Sequence, residues 1–374
     1  MLSNVPVAAL PTAQRAGVDR TEVAPILVPY PPGTRLPTQL DCWLNSANHL
    51  LRGCEDAPRF SLASGSRPAA GTPWLQPAQG GRLTLPGTAH TGEPGDLPCS
   101  AGGDDALWPQ ALARWMAKLA RPLELSRIPL GSPSLAALRQ AYRWRGWVRI
   151  HAAEPSPFIE LDRRWEQPES QFNAGRRSDF RRAWRRAQAA GTLAFEVHAP
   201  REGSELEGLL DQAYAVEANS WKGHGGTALA QDPALGPFYR ALSRAAAAQG
   251  LLRLCFLRIG GQPAAMQLAL QADRRFWLMK IGYDAAHARC SPGQLLMLHT
   301  IGHAASQGLA SYEMLGNAAP WTAGWTQTLR PFVRVRAYPA SWAGAQAVWT
   351  DAKEAAARRW RVRAGHDNPP EPAG

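Results

Sequence analysis

Apolar positions along this chain keep two periods, one suited to helices and one to strands, and both become regular only after about residue 104. "DDALWPQALARWMAKL" has helical spacing, "LELSRIPL" reads as a strand, and "SPSLAALRQAY" as a capped helix. "WVRIHA" and "PFIELD" read as two further strands. The region from 192 is the most regular. "TLAFEVHA" predicts a strand, and Ser204 opens a helix in which Glu207 would complete a capping box. Asp232-Pro233 opens the next helical region, where "FYRALSRAAAAQ" stops at Gly250. Three strands follow, "LLRLCFLRI", "PAAMQLAL" and "RFWLMKIGYD", the first two joined by a Gly260-Gly261 turn. A loop and helix come next, then the strand "ASYEMLG", a short helix in "PWTAGWTQTL" and a last strand "FVRVRAYP". The order from 192 is thus β-α-α-β-β-β-α-β-α-β, which makes the chain an α/β protein. A polar helix, "AVWTDAKEAAARRWRVR", leads into "GHDNPPEPAG", whose composition is that of a disordered tail.

Before this ordered region the pattern is irregular. Of the 32 prolines, 14 fall in residues 1–103, with glycines between them, so much of this region predicts as loop or linker. "RLTLP" is a short strand candidate within it. The expected division is therefore 1–103 irregular, 104–165 a first half, 166–345 a second, and 346–374 a helix and tail.

A formal charge of +11 points to an anionic partner: nucleic acid, a phosphorylated cofactor or a membrane surface. The five cysteines are odd in number, widely spread and without C-x-x-C spacing, which argues against a disulfide frame or a zinc knuckle. The N-terminus has no early positive charge and is broken by prolines, a poor signal peptide, and no apolar run approaches the ~18 residues of a membrane span. These features predict a reducing, cytoplasmic setting, with peripheral attachment at the inner membrane face as a variant of it.

Four stretches carry candidate chemistry. In "GYDAAHARCSPGQLLMLHTIG", Ser291 suits an N-cap, Pro292 the first helical position, and Gly293 leaves the backbone open. Such a start is either a plain cap or an anion site built from free N–H groups. In "EANSWKG", Glu217 falls about 20° from Leu206 on the helical wheel, inside the stripe of Leu206, Leu209, Leu210 and Ala213. A carboxylate there is either paired with a buried arginine or used as a base. Trp221 and Lys222 lie at the end of that helix, and Trp221 either walls an acceptor pocket or fills core. "RRSDFRRAWRRAQ" places Phe180, Trp184 and Ala187 on one helical face and Arg181, Arg182, Arg185 and Arg186 on the other, with Ser178 as cap; the basic face is either solvated or holds phosphates, tRNA or a lipid headgroup. His299 and His303 share a face at i, i+4 spacing, but the sequence offers no obvious third ligand, so no metal is expected. Cys290 beside His287 resembles an activated thiol in nothing but proximity.

Taken in order, "RRSDFRRAWRRA", "EANSWKG", "FYRAL", "KIGYD…SPGQLL" and "YEMLG…W…W" resemble CelD-like, FemAB-type acyltransferases of the GNAT superfamily, best from about 155 to 340. The resemblance implies a GNAT fold, a mixed central sheet flanked by helices, in two tandem halves of which the N-terminal one (104–165) is degenerate. It implies that "RFWLMKIGYD" and "ASYEMLG" splay apart and admit the donor. Acetyl-CoA or another acyl-CoA would be bound by Ile281, Gly282, Cys290, Ser291, Pro292, Gly293 and Gln294.

Direct acyl transfer to an amine or hydroxyl then needs a base, for which Glu217 is the first candidate and Glu313 the second. A backbone N–H near Ile281 or Gly282 would stabilise the oxyanion. Tyr283 or Lys280 would assist the leaving group, and Arg181, Arg185, Trp221, Lys222, Lys280, Trp321 and Trp325 would contact substrate. Two positions depart from the family pattern: Thr322 stands after Trp321 where relatives carry Lys, and no Tyr follows "YEMLG". The implied acceptor bears a sugar or an amine, as in exopolysaccharide or cellulose assembly. FemAB-type transfer from aminoacyl-tRNA is one alternative, and a catalytically idle scaffold or RNA-binding module is another.

Overall fold

The computed structural model describes residues 25–50, 57–60, 74–98, 107–220 and 229–363. Among them, eleven strands form one mixed sheet: β1 (Ile26–Leu27), β2 (Gln76–Pro77), β3 (Leu83–Thr84), β4 (Leu123–Pro129), β5 (Gly146–Glu160), β6 (Leu193–His198), β7 (Leu252–Ile259), β8 (Gln262–Ala272), β9 (Arg275–Tyr283), β10 (Ser311–Glu313) and β11 (Thr328–Pro339). Their order is β2-β3-β4-β11-β5-β10-β9-β8-β7-β6, with β1 parallel to β11. The expected α/β fold with a mixed sheet flanked by helices is what the chain adopts.

β5 is the joint of the molecule. The two strands expected at "WVRIHA" and "PFIELD" are one strand of 15 residues. Its first part, to Pro157, pairs with β11, and its last three residues pair with β10. The register with β11 slips opposite Glu154 and Pro155, and the strand runs on through this bulge. β11 is also the late strand that crosses back to lie between β4 and β5, so the first half of the sheet is completed by the end of the chain.

The second half explains its own sequence. β7 is apolar on both faces because both are covered. Leu252, Leu254 and Phe256 meet the helices Gly203–Ala218 and Leu235–Ala248, while Cys255, Leu257 and Ile259 meet the helices Ala174–Ala190 and Pro292–Ser306. The Gly260-Gly261 turn forms as expected, both glycines having positive φ.

Other local expectations shift. The Gly203–Ala218 helix starts at Glu202 without a side-chain cap, so the capping box at Ser204 is absent. The arginine-rich helix begins at Ala174, a turn before Ser178, with Asn173 Oδ1 accepting the Arg176 N–H at 2.9 Å. Its buried face is Phe180, Ala183 and Ala187, whereas Trp184 is 39% exposed and stacks on Phe195. The region read as irregular holds a helix, Asp41–Ser46, whose Cys42 and Trp43 are fully buried against Phe238 and the Leu235–Ala248 helix. "RLTLP" supplies β3, as expected.

Candidate functional site

The site is organised by a break in the alternation of β9. Phe276 and Leu278 face one side of the sheet and Trp277 and Met279 the other. The β8 register then slips: Leu268 pairs with Lys280 and Ala269 with Leu278, leaving Met279 as a bulge residue. A bulge puts two successive side chains on one face. Lys280 therefore joins Met279, with its ammonium 4.6 Å from the Tyr239 ring centroid. Ile281 and Tyr283 turn to the opposite side, and Gly282 turns back towards the Gly203–Ala218 helix.

β10 runs parallel to β9 over three pairs, ending at Glu313↔Trp277. β9 continues to Tyr283, past the last of these pairs. Against the far end of β9 lies a cavity of about 420 Å³. Ile281, Gly282 and Tyr283 form one wall, Ser291, Pro292, Gly293 and Gln294 the helix-start wall, and Trp321 and Trp325 a third side. Met266, Gln267, Ala288 and Met297 complete it.

The helix start is built differently from the expected cap. Ser291 has left-handed backbone angles (φ 48°, ψ 50°) and its side chain caps nothing. Its carbonyl instead accepts the N–H groups of Gln294 (3.0 Å) and Leu295 (3.3 Å). Pro292 has no N–H to satisfy. The Gly293 N–H finds no backbone acceptor among the described residues and lies at the cavity wall. Gly293 has room, since an added Cβ would meet nothing nearer than Tyr283 Cδ1 at 3.8 Å. The helix that follows, Pro292–Ser306, is long enough to carry a positive N-terminal end into this space.

Trp325 is 5% exposed and stacks on Phe180, with the Arg176 guanidinium 5.5 Å from its ring centroid, whereas Trp321 is 48% exposed at the rim. The arginine helix thus backs the cavity through Phe180. Arg181 and Arg185 are exposed on its outer side, and Arg186 reaches the Arg289 carbonyl at 3.3 Å, just before the helix start.

Other sequence candidates fall elsewhere. Cys290 is 6% exposed within the apolar cluster of Leu295, Leu296 and Ile301 and is not part of the cavity wall. Glu217 is 1% exposed, stands behind Gly282, and its Oε2 accepts the Leu229 N–H at 2.8 Å. Glu313 is equally buried and paired: Arg330 donates to Oε1 at 2.8 Å, Ser311 Oγ to Oε1 at 2.7 Å and Tyr30 OH to Oε2 at 3.3 Å. His299 stacks on Phe195 at 4.9 Å, and burial lowers its pKa. Trp221 and Lys222 lie outside the described residues.

Gln267 was not singled out by sequence reasoning. It is 2% exposed, lines the cavity and accepts the Tyr312 hydroxyl at 3.1 Å. Its signal was available: a polar residue in the otherwise apolar strand "PAAMQLAL".

Residues 174–322 match the sequence model of the acetyltransferase (GNAT) domain. No curated protein sequence matches the chain. Among solved structures, FemX is similar with a TM-score of 0.52 at 12% identity, the likeness covering 81% of this chain and 92% of FemX. The C-terminal domain assigned to a lysylphosphatidylglycerol synthetase of Agrobacterium fabrum is similar with a TM-score of 0.50 at 15% identity, covering 84% and 95% of the two chains. At these identities the likeness is one of fold alone.

Proposed function

We propose that this protein transfers an acyl group, acetyl in the simplest case, from an acyl-CoA to an amine or hydroxyl acceptor. The observation that carries this reading is a cavity of about 420 Å³ between the end of β9, beyond its last pair with β10, and a helix start. A cavity of this kind admits an extended donor arm, and the helix N-terminus at its wall favours the donor's pyrophosphate. The residues we assign to the donor are Ile281, Gly282, Tyr283, Ser291, Pro292, Gly293 and Gln294, with Trp321 and Trp325 flanking the thioester end. Bound acyl-CoA would supply an activated acyl carbon; the chain's task is to align it, exclude water and accept a proton from the nucleophile. Cys290, turned into the core, has no place in this assignment. Acceptors bearing a sugar or an amine, as in polysaccharide assembly, fit the same reading.

The exposed arginines favour one alternative. Arg181 and Arg185 present a basic face, and Arg186 brings it to the rim of the helix start. That face suits the body of an aminoacyl-tRNA, as the FemAB-type resemblance implies. A binding panel of acetyl-CoA, long-chain acyl-CoA and aminoacyl-tRNA separates the two. An acyl-CoA-induced rise in melting temperature that disappears in Gly293→Glu supports the first. Absence of any CoA effect, with tight and salt-sensitive tRNA binding lost in Arg181→Glu/Arg185→Glu, overturns it.

A further inference from the structure

On the side of β9 that Trp277 and Lys280 face, three buried polar atoms have no hydrogen-bond partner among the described residues: Glu93 Oε2, Tyr239 OH and Trp277 Nε1. Glu93 is 8% exposed, and Tyr239 and Trp277 are fully buried. Folded proteins pair nearly all such atoms, so a group of orphans is a place where something else is expected to bind. The bulge at Met279 contributes to it. By turning Lys280 onto the face of Trp277, it places the ammonium over the Tyr239 ring on the side of β9 away from the donor cavity.

Glu93 reaches this place from a distant loop because Arg127 carries it there. The Arg127 guanidinium donates to the Gly92 carbonyl (2.9 Å) and to the carbonyls of Leu315 (3.0 Å) and Gly316 (3.1 Å). Gly92-Glu93 is thereby tied to the chain leaving β10. The charges of Lys280 and Arg127 both act on the Glu93 carboxylate, which in turn acts on Tyr239. Lys280 is half-buried.

Three carboxylates compete for the role of proton acceptor. Glu313 is held by Arg330, Ser311 and Tyr30, and Glu217 by the Leu229 N–H. Of the three, Glu93 has an oxygen left open. Burial, opposed in part by Lys280 and Arg127, pushes its pKa up to about 7. A carboxylate so tuned takes a proton readily near neutral pH.

Resting on the acyl-transfer reading, we propose that Glu93 is the general base, and that Glu93 Oε2, Tyr239 OH and Trp277 Nε1 together receive the amine or hydroxyl head of a small polar acceptor. The acceptor enters from the face opposite the donor helix. Its nitrogen or oxygen bonds to the acyl carbon, and the C–S bond breaks with its electron pair left on sulfur. The acceptor's proton passes to Glu93 Oε2 and from there through solvent to the thiolate. Lys280 stands beside the path as a fixed positive charge.

The test compares wild type with Glu93→Gln and Tyr239→Phe, using acetyl-CoA with a panel of amino acids, amino sugars and diamines and following free thiol. Glu93→Gln is expected to slow thiol release about 100-fold or more while acetyl-CoA affinity stays within about twofold of wild type. The wild-type kcat/KM should rise through a limb near pH 7 that Glu93→Gln lacks, a change that a structural role would not produce. Tyr239→Phe should raise KM for the acceptor more than it lowers kcat. If Glu93→Gln turns over within about threefold of wild type, the base assignment falls alone. If wild type binds acetyl-CoA but releases no thiol with any of these acceptors, the small polar acceptor is wrong. If wild type does not bind acetyl-CoA at all, the donor reading falls and the base assignment with it.

Discussion

Gly282 of β9 and Glu217 of the Gly203–Ala218 helix meet so closely that a Cβ at position 282 would stand 3.0 Å from Glu217 Cα and 3.2 Å from its Cβ. The contact fixes the distance between β9 and that helix, and with it the wall of the donor cavity. Gly282→Ala should therefore overpack the interface and cost about 1–3 kcal/mol, read as a lowered urea midpoint with an unchanged slope. Gly293→Ala is the control. Its nearest neighbour would be Tyr283 Cδ1 at 3.8 Å, so the midpoint should stay put. Equal midpoints for all three proteins would show that β9 and the helix are free to separate.

The pair Glu313–Arg330 joins the two halves of the sheet, since Glu313 lies on β10 and Arg330 on β11. Both are almost fully buried, and the guanidinium also covers Phe158 and Tyr30. Removing one partner strands the other charge. Glu313→Gln should cost about 3–5 kcal/mol, while the double change Glu313→Leu/Arg330→Met should cost less than Glu313→Gln alone. This is measured by chemical denaturation of the three variants. A small loss in Glu313→Gln, accompanied by a large loss of turnover, would return Glu313 to the list of bases.

Legibility in the sequence followed the range of the interactions. β7, β8 and β9 were readable because both of their faces are covered by nearby helices, which leaves continuous apolar runs. Ser291-Pro292-Gly293 was readable because a helix start is a local event. The bulge at Met279 was not, since it exists only in the pairing of β9 with β8. Nor was Glu93, which sits in "TGEPGD" like any loop carboxylate until Arg127 binds its neighbour's carbonyl. Trp43 was hidden for a related reason. The proline-rich region around it has no period, yet its short helix packs on a helix about two hundred residues away in the chain.

Asp351 ties the C-terminal helix to the sheet. Asp351 accepts from Arg82 and from the Tyr338 hydroxyl, and its Oδ1 lies 3.1 Å from Arg336 Nη1. Arg82, buried, and Arg336, half-buried, both pair with it. Asp351→Ala should destabilise the protein by about 3 kcal/mol or more and release the Trp342–Arg363 helix, which limited proteolysis would report as early cleavage before Trp342. Protection equal to wild type would mean that apolar contacts such as Ala347 suffice to dock it.

Glu93 makes stability depend on pH in a direction opposite to that of a paired carboxylate. Its folded pKa is about 7, raised from the ordinary 4.5 by burial. Between those values the native state keeps a proton that the unfolded chain has lost, so stability falls as pH rises through the window. The penalty is absent below the unfolded value and complete above the folded one, at most about 3 kcal/mol. Glu93→Gln removes the charge without removing the shape. Its melting temperature should match wild type near pH 4, draw ahead through the window, and hold a constant lead above about pH 8. Differential scanning calorimetry of the two proteins across that range checks this. A lead that does not vary with pH would show that Glu93 titrates as an ordinary carboxylate, and a lead for wild type at high pH would show that a partner holds the carboxylate ionised.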